Sequence, residues 1–563
     1  MKKVSCTLML CTCIASLAVK TMYAQPGSLD LSFGTDGIAI TDFSGSGDYA
    51  YAMAIQDDGK IVLAGYAYAG STNDFALARY NANGTLDNTF DSDGKVMTDF
   101  NGGNIEVINA IVIQPDGKIV AAGNSWDGNE THFALARYNI DGSLDNSFSS
   151  DGMGIYNWGT NDYGTAVALQ SDGKILIAGA SYLDGYGYHV SALRINTDGT
   201  VDNTFDSGGV STVVGEESQV NAMILQSDGK IVMAGRRVSN LNSDFLLLRY
   251  TANGSIDNTF DTDGIVTTAF GSGDDYAFTC IQQSDGKLLA GGSSANGFND
   301  FALARYNSNG SLDNTFSADG KVTTDIASGS DDYGYSVKVQ SDGKILLGGY
   351  SEALLNDFSV VRYNANGSLE NLFDLDGKVT TDLRGTYDYA HTIALQSDGK
   401  IVVAGHSDSN TDSYDFAVVR YNAVCSFVGS TQNITLTEGQ TLTVGTHTYT
   451  TADGSGTYQD ILTAASGCDS VVTTNLTVLT AINEFSGSEI ISVAPNPFMN
   501  ELIINGTEAG NELFVFDVTG KLMLTANTTA TQTRVGTDLL SPGIYMLGYR
   551  DRTKAATVKV VKF

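Results

Sequence analysis

Apolar and polar residues alternate along most of this chain in short runs, and the runs recur. Tyr51–Gln56 alternates weakly, Lys60–Tyr66 is mostly apolar, and Phe75–Tyr80 alternates again. Asp58-Gly59 and Asn83-Gly84 separate them, the turn residues that tight hairpins need. A further segment, Gly84–Phe90, leads through Asp93-Gly94 to a short run, Lys95–Phe100. One unit therefore holds four short strands. Its Asp-Gly anchor returns at Asp58, Asp116, Asp172, Asp228, Asp285, Asp342 and Asp398, a period of 56 to 58 residues. Self-similarity at a fixed period marks a repeat architecture, and a four-stranded sheet repeated radially predicts a propeller. The expected fold is all-β: a seven-bladed β-propeller closed by an N-terminal strand, then a small β module and a C-terminal β-sandwich.

The closure follows from a phase shift. A segment like Gly84–Phe100 stands first at Gly27–Phe43, before any Asp-Gly-Lys hairpin, and recurs from Gly142, Gly199, Gly254, Gly310 and Gly367. It is missing after the seventh Arg-Tyr-Asn, Arg420-Tyr421-Asn422. An open ring leaves blade edges unpaired, so Gly27–Phe43 is expected to supply the outer strand of the last blade. The pattern DGK-apolar-AG, DFALARYN, NGxLDxxF resembles a family of roughly sixty-residue propeller repeats (delta-60 type) of secreted bacterial proteins. That resemblance implies the fold and little about activity.

Recurrence separates scaffold from function. Arg79, Arg137, Arg194, Arg249, Arg305, Arg362 and Arg420 occupy one position of the unit. Asp30, Asp87, Asp145, Asp202, Asp257, Asp313 and Glu370 occupy another. An Arg inside an apolar strand needs a partner if buried, and the recurring acid is the expected one. Cys280 aligns with Met53, Ile111 and Val167 and is read as a core residue.

What differs between units is the candidate recognition surface. The connections between the second and third strands hold Tyr66, Tyr68, Trp126, Tyr182, Tyr186, Tyr188, Arg236, Arg237, Tyr350 and Tyr414, and aromatic residues on variable loops suit glycan or protein contact. Packing at the loop bases is the plainer reading. Ten residues before the anchors stand Asp48, Glu106, Asp162, Asp275, Asp332 and Asp388, with Ser218 in the fourth unit. If these begin innermost strands, they ring the channel mouth, where clustered carboxylates either cap turns or hold a cation such as Ca²⁺. Asp91-Ser92-Asp93-Gly94 and Asp261-Thr262-Asp263-Gly264 lack the full spacing of an EF-hand loop and read as turns.

Charge and chemistry narrow the function. Asp plus Glu number 64 against 31 Lys plus Arg, a net charge of −33, which argues against a nucleic-acid or anionic-membrane partner. His132, His189, His391, His406 and His447 form no metal-ligand spacing, and no GxSxG or P-loop occurs. The expected function is a secreted or surface-displayed binding protein, monomeric and without cofactor. The alternative is a carbohydrate-active hydrolase or lyase using acids of the variable face.

The flanks set location. Lys2-Lys3 and the apolar run Val4–Val19 have the layout of a signal peptide, residues 1–24. Residues 25–423 are the propeller, and 424–480 a Thr-rich β module that resembles short β modules of bacterial surface proteins. Cys425 and Cys468 flank that module and are expected to pair after export. A linker, 481–489, precedes the last unit, 490–563. There Val493-Ala494-Pro495-Asn496-Pro497-Phe498, Glu512–Lys521, Leu540-Ser541-Pro542-Gly543-Ile544-Tyr545 and Lys559–Phe563 stand in order. They resemble the type A C-terminal sorting domain of the type IX secretion system, which implies that machinery as a partner and passage through a Gram-negative outer membrane. Leu513, Val515 and Val518 are expected to pack on Ile544 and Tyr545.

Overall fold

The structure, a computed structural model, describes residues 26–563 apart from 44–46, 71, 101–104, 184–186, 207–209, 213–216, 240–241, 410–412, 424–429, 438–440, 445–446, 464–468, 480–490 and 551–554. The signal peptide, Tyr186, the linker and the expected Cys425–Cys468 pair lie outside the described residues. Two compact units are present, one containing the repeats and one containing the strands from 430 to 461 and from 472 to 563.

In the first unit each repeat is a four-stranded antiparallel blade. Blade 1 is Asp48–Ile55, Ile61–Ala69, Thr72–Tyr80 and Lys95–Thr98, and blades 2 to 6 repeat it. Blade 7 is Asp388–Leu395, Ile401–Asp408, Tyr414–Tyr421 and, from the N-terminus, Ile38–Thr41. Ile38 pairs with Val419 and Thr41 with Phe416, so the expected closure is found. Each first strand touches the first strands of both neighbouring blades, so seven of them surround the axis.

The recurring charges bolt blades together. Arg79 Nε donates to Asp87 Oδ2 at 2.7 Å, and Arg420 Nε to Asp30 Oδ2 at 2.8 Å. Each Arg also donates to a backbone carbonyl of the next blade: Arg137 to Thr197, Arg249 to Ser308, and Arg420 of blade 7 to Ala82 of blade 1. Burial raises the Asp87 pKa, but Thr89, Arg79 and Lys60 outweigh it and hold the carboxyl at about 2. A buried guanidinium is thus fully paired, the condition under which burying it is tolerable. Tyrosine hydroxyls join blades in the opposite direction, Tyr138 to Thr98 and Tyr421 to Thr381 among them. Asp93 and Asp263 accept the amides of Lys95 and Ile265, as turn residues do. Cys280 lies in a core shared with Leu288 and Ala290.

In the second unit, Ser430–Thr437, Asp469–Leu479 and Gly456–Thr463 form a small sheet. The C-terminal strands form a three-stranded and a four-stranded sheet around Leu502, Ile504, Leu513, Val515, Tyr545 and Leu547. Val518 and Ile544 are exposed, contrary to expectation. Val518 falls in the turn after Glu512–Asp517, and Ile544 precedes the inward Tyr545, so alternation sends it out.

Candidate functional site

The site begins with a bulge. In every first strand one residue is extra: Ala50 pairs with Gly65 and Ala52 with Ala64, leaving Tyr51 unpaired. The same position is Asn109, Thr165, Asn221, Phe278, Tyr335 and His391 in blades 2 to 7. The recurring Gly65 explains it, since a Cβ there would stand 1.8 Å from the Tyr49 carbonyl oxygen. Bulges re-aim side chains, and here they set a ring of seven residues near the axis.

That ring has two halves. In blades 5, 6, 7 and 1 it is aromatic and packs ring to ring. Phe278 lies 4.6 Å from Tyr335, Tyr335 4.9 Å from His391, and His391 5.0 Å from Tyr51, between centroids. A second tier continues it. Tyr276, Tyr333, Tyr389 and Tyr49 follow the first-strand acids, and Tyr350, His406 and Tyr66 stand opposite the last three. Tyr49 stacks on Tyr66 at 4.8 Å and meets Tyr414 at 5.1 Å, while Tyr350 meets Tyr389 at 4.9 Å. Arg236 closes one end, its guanidinium 5.3 Å from the Tyr276 ring. Burial alone brings the His391 pKa down to about 4, so it is a neutral ring in this wall.

In blades 2, 3 and 4 the ring is polar and each member donates to the backbone of the next blade. Asn109 reaches Gly164, Thr165 reaches Val220, and Asn221 reaches Ala277, at 2.6 to 2.9 Å. A cavity of about 290 Å³ opens there between Tyr163, Tyr188, Gln219 and Asn221.

The expected contact residues are thus placed on strands, not on loops. Tyr66 and Tyr68 lie in Ile61–Ala69, Trp126 in Ile119–Trp126, Tyr182 in Ile175–Leu183, Tyr188 in Gly187–Ile195, and Arg236 and Arg237 in Ile231–Ser239. Tyr350 and Tyr414 lie in Ile345–Glu352 and Tyr414–Tyr421. The ladder runs on past the point where the repeat diverges, because β-formers continue until a turn residue such as Gly70 or Gly128 stops it. Tyr66, Tyr68, Tyr350, Tyr414 and Arg236 belong to the aromatic half. Tyr188 packs on Tyr182 at 5.3 Å and on Tyr163 at 5.9 Å as a separate group in blade 3, Trp126 stands apart, and Arg237 sits opposite Ser218 and Asp244. The reading of single loops passed over Tyr49, Tyr51, Tyr276, Phe278, Tyr333, Tyr335, Tyr389, His391 and His406. The signal was present: Tyr follows the acid in five of the seven first strands.

The acids do begin the innermost strands, but they do not ring a mouth. Asp48, Glu106, Asp162, Asp275, Asp332 and Asp388 are all fully buried, because alternation turns them in phase with Ala50 and away from Tyr49. Asp48 Oδ2 accepts the Phe43 amide at 2.6 Å, and Asp275, Asp332 and Asp388 do the same for Phe270, Ile326 and Leu383 at 2.7 Å. Asp162 uses both oxygens, on Trp158 and Gly159. Burial pushes the Asp48 and Glu106 pKa values up to about 7, and those of Asp332 and Asp388 to about 6.

Fold and site together define a closed seven-bladed propeller with one aromatic arc, carried on a chain that ends in a β-sandwich. Residues 56–90, 114–148, 170–205, 226–260, 283–316, 340–373 and 396–424 match the family described as a β-propeller domain of unknown function, DUF5122. Residues 492–562 match the secretion system C-terminal sorting domain. The chain is therefore a DUF5122 propeller with a type IX sorting domain, a secreted protein bound for the cell surface. No helix among the described residues is long and apolar enough to cross a membrane. No curated protein matches it. Similar solved structures include virginiamycin B lyase from Staphylococcus aureus, at 11% identity over 68% of this chain and 98% of that one, TM-score 0.39. The polysaccharide lyase Uly1 shares 12% identity over 69% and 93%, TM-score 0.39. PorZ, a surface component of the type IX secretion system of Porphyromonas gingivalis, shares 12% over 92% and 71%, TM-score 0.31.

Proposed function

We propose that this is a non-catalytic binding or adhesion protein of the cell surface, whose propeller presents the aromatic arc to a glycan or surface-protein ligand. The observation that carries this reading is the arc itself. Rings from four consecutive blades are held edge to edge, and Tyr49, Tyr66, Tyr276, Tyr333 and Tyr389 keep part of their surface open. Aromatic faces take up the apolar faces of sugars and side chains, while the hydroxyls bond their polar edges. Turnover by the acids is disfavoured by their enclosure, since a general acid must reach within hydrogen-bonding distance of its substrate. The sorting domain supplies the route and the contact with the secretion machinery, and the propeller acts as a monomer.

The test is a glycan array probed with the full chain, followed by Tyr49→Ala and Tyr333→Ala on any hit. Each substitution is expected to weaken binding about tenfold, the equivalent of about 1.4 kcal/mol. Release of unsaturated or reducing-end fragments from a bound polysaccharide, abolished by Glu106→Gln, would replace this reading with the hydrolase or lyase.

A further inference from the structure

The second strands give the aromatic arc a charge. The residue two positions beyond Tyr350, His406 and Tyr66 shares their side of the blade by alternation. It is Glu352 in blade 6, Asp408 in blade 7 and Tyr68 in blade 1. In the other four blades that position holds Trp126, Tyr182, Val238 and Ala295. Acids thus occupy it only where the second strand also carries a ring of the arc. A third acid, Asp331, leads into the first strand of blade 6 and accepts from the Asn299 amide at 2.7 Å and from its side chain at 3.0 Å.

These acids act on the rings. After burial, the charged groups that most raise the pKa of Tyr333 are Asp331 and Glu352. Glu352 does the same for Tyr335, Tyr350 and Tyr389, and Asp408 for Tyr49 and Tyr414. Glu352 is itself half-buried, and burial and then Asp331 raise its pKa. Among the described residues its carboxylate has no hydrogen bond and no basic partner. One basic side chain among them stands over an arc ring, Arg236 on Tyr276, two blades away from Glu352. The arc therefore has a basic end at blade 4 and an acidic stretch over blades 6, 7 and 1.

We propose that the ligand of the arc is a glycan bearing free amines, a chain of glucosamine type, whose ammonium groups lie over the tyrosine faces of blades 6, 7 and 1 and against Glu352, Asp331 and Asp408. This rests on the arc being the recognition surface. A ring face is the negative side of the aromatic quadrupole, and beside a carboxylate it selects a cation. An ammonium group between Glu352 and Asp331 also offsets their mutual repulsion. Repetition favours a polymer over a single basic side chain, because Tyr333, Tyr389 and Tyr49 present the same partly open ring in three consecutive blades. The same field opposes uronate and sulfated chains.

The experiment is calorimetric titration of the full chain with four probes: the hexasaccharides of glucosamine and of N-acetylglucosamine, an oligogalacturonate, and hexalysine. The glucosamine hexamer is expected to bind about tenfold tighter than any of the others. Glu352→Gln removes a carboxylate that no other residue uses, so the fold should hold, and it should weaken the glucosamine hexamer about tenfold. Tyr333→Ala should weaken both hexasaccharides. An N-acetylated hexamer that binds as tightly as the amine, and is lost with Tyr333→Ala, overturns the inference and keeps the arc. Unchanged affinity in Glu352→Gln overturns it as well. Hexalysine binding as tightly as the sugar replaces the glycan with a basic peptide. No binding of the glucosamine hexamer up to about 1 mM also overturns it. Whether the arc falls too is then decided by Tyr333→Ala on a glycan-array hit.

Discussion

Blades 5, 6, 7 and 1 and blades 2, 3 and 4 share one outer scaffold and differ at the axis. All seven carry the buried Arg–acid pair and its bond to the next blade. At the bulge, however, three blades reach the next through an amide or hydroxyl and three through rings, and Tyr51 of blade 1 packs back on His391 of blade 7. The polar half spends its side chains on holding the ring together. The aromatic half leaves part of its ring surface open. Blade-to-blade cohesion is thus assigned to the rim, which leaves one arc of the axis lined by rings and not by bonds to the next blade.

Breaking the rim should therefore hurt both halves alike, and hardest. Removing residues 26–43 deletes the partner of Tyr414–Tyr421 and the acid that pairs with Arg420. A ring opened at a hydrophobic edge is expected to lose its cooperative melting transition and to aggregate. Single substitutions come next. Arg194→Ala in the polar half and Arg305→Ala in the aromatic half should each cost about 1.5–3 kcal/mol, because each removes a charge-assisted bond from a buried acid, Asp202 or Asp313, that Lys174 or Lys287 still holds. Urea titration of both variants checks this. A loss confined to one half would mean that the halves differ in scaffold as well as in lining.

Acid should act on the two layers in opposite senses. The first-strand carboxyls of Asp48, Glu106 and Asp388 hold protons more tightly folded than unfolded, so their contribution is fully present below about pH 4 and lost as pH rises through 6 to 7. The rim acids, Asp87 and Asp30, are depressed to about 2, and their contribution is present above pH 4 and lost as pH falls through 2. The melting temperature should therefore peak between about pH 4 and 6 and decline toward pH 8. Asp388→Asn should flatten that decline.

Much of this was legible in the residues. The period, the four strands, the borrowed N-terminal strand and the role of the recurring Arg and acid all follow from repetition, since a scaffold role must recur in every blade. The site was harder to read. Alternation along Asp48–Ile55 decides that Asp48 is enclosed while Tyr49 is open, but the bulge at Tyr51 breaks that alternation, and only the register across Gly65 reveals it. Acids that meet across a blade junction, such as Asp357, Asp382 and Asp388, come from different strands and blades, so spacing in one unit does not display them. Val518 and Ile544 were misplaced for the same kind of reason: a turn and a one-residue change of phase reverse the side that a residue faces.

The smallest expected effect separates the two halves most cleanly. Trp126 ends the second strand of blade 2, is 38% exposed and stacks on no other ring among the described residues. It is one of the contact residues expected from the sequence, yet it stands in the half whose bulge is polar. Trp126→Ala removes little buried surface, so stability should change by no more than about 0.5 kcal/mol. If recognition belongs to the continuous arc, binding to any glycan-array hit should be unchanged within twofold, against about tenfold for Tyr49→Ala. The reverse ranking would move the recognition surface to blades 2 to 4 and leave the stacked rings as packing, because an isolated exposed ring would then be doing what the assembled wall does not.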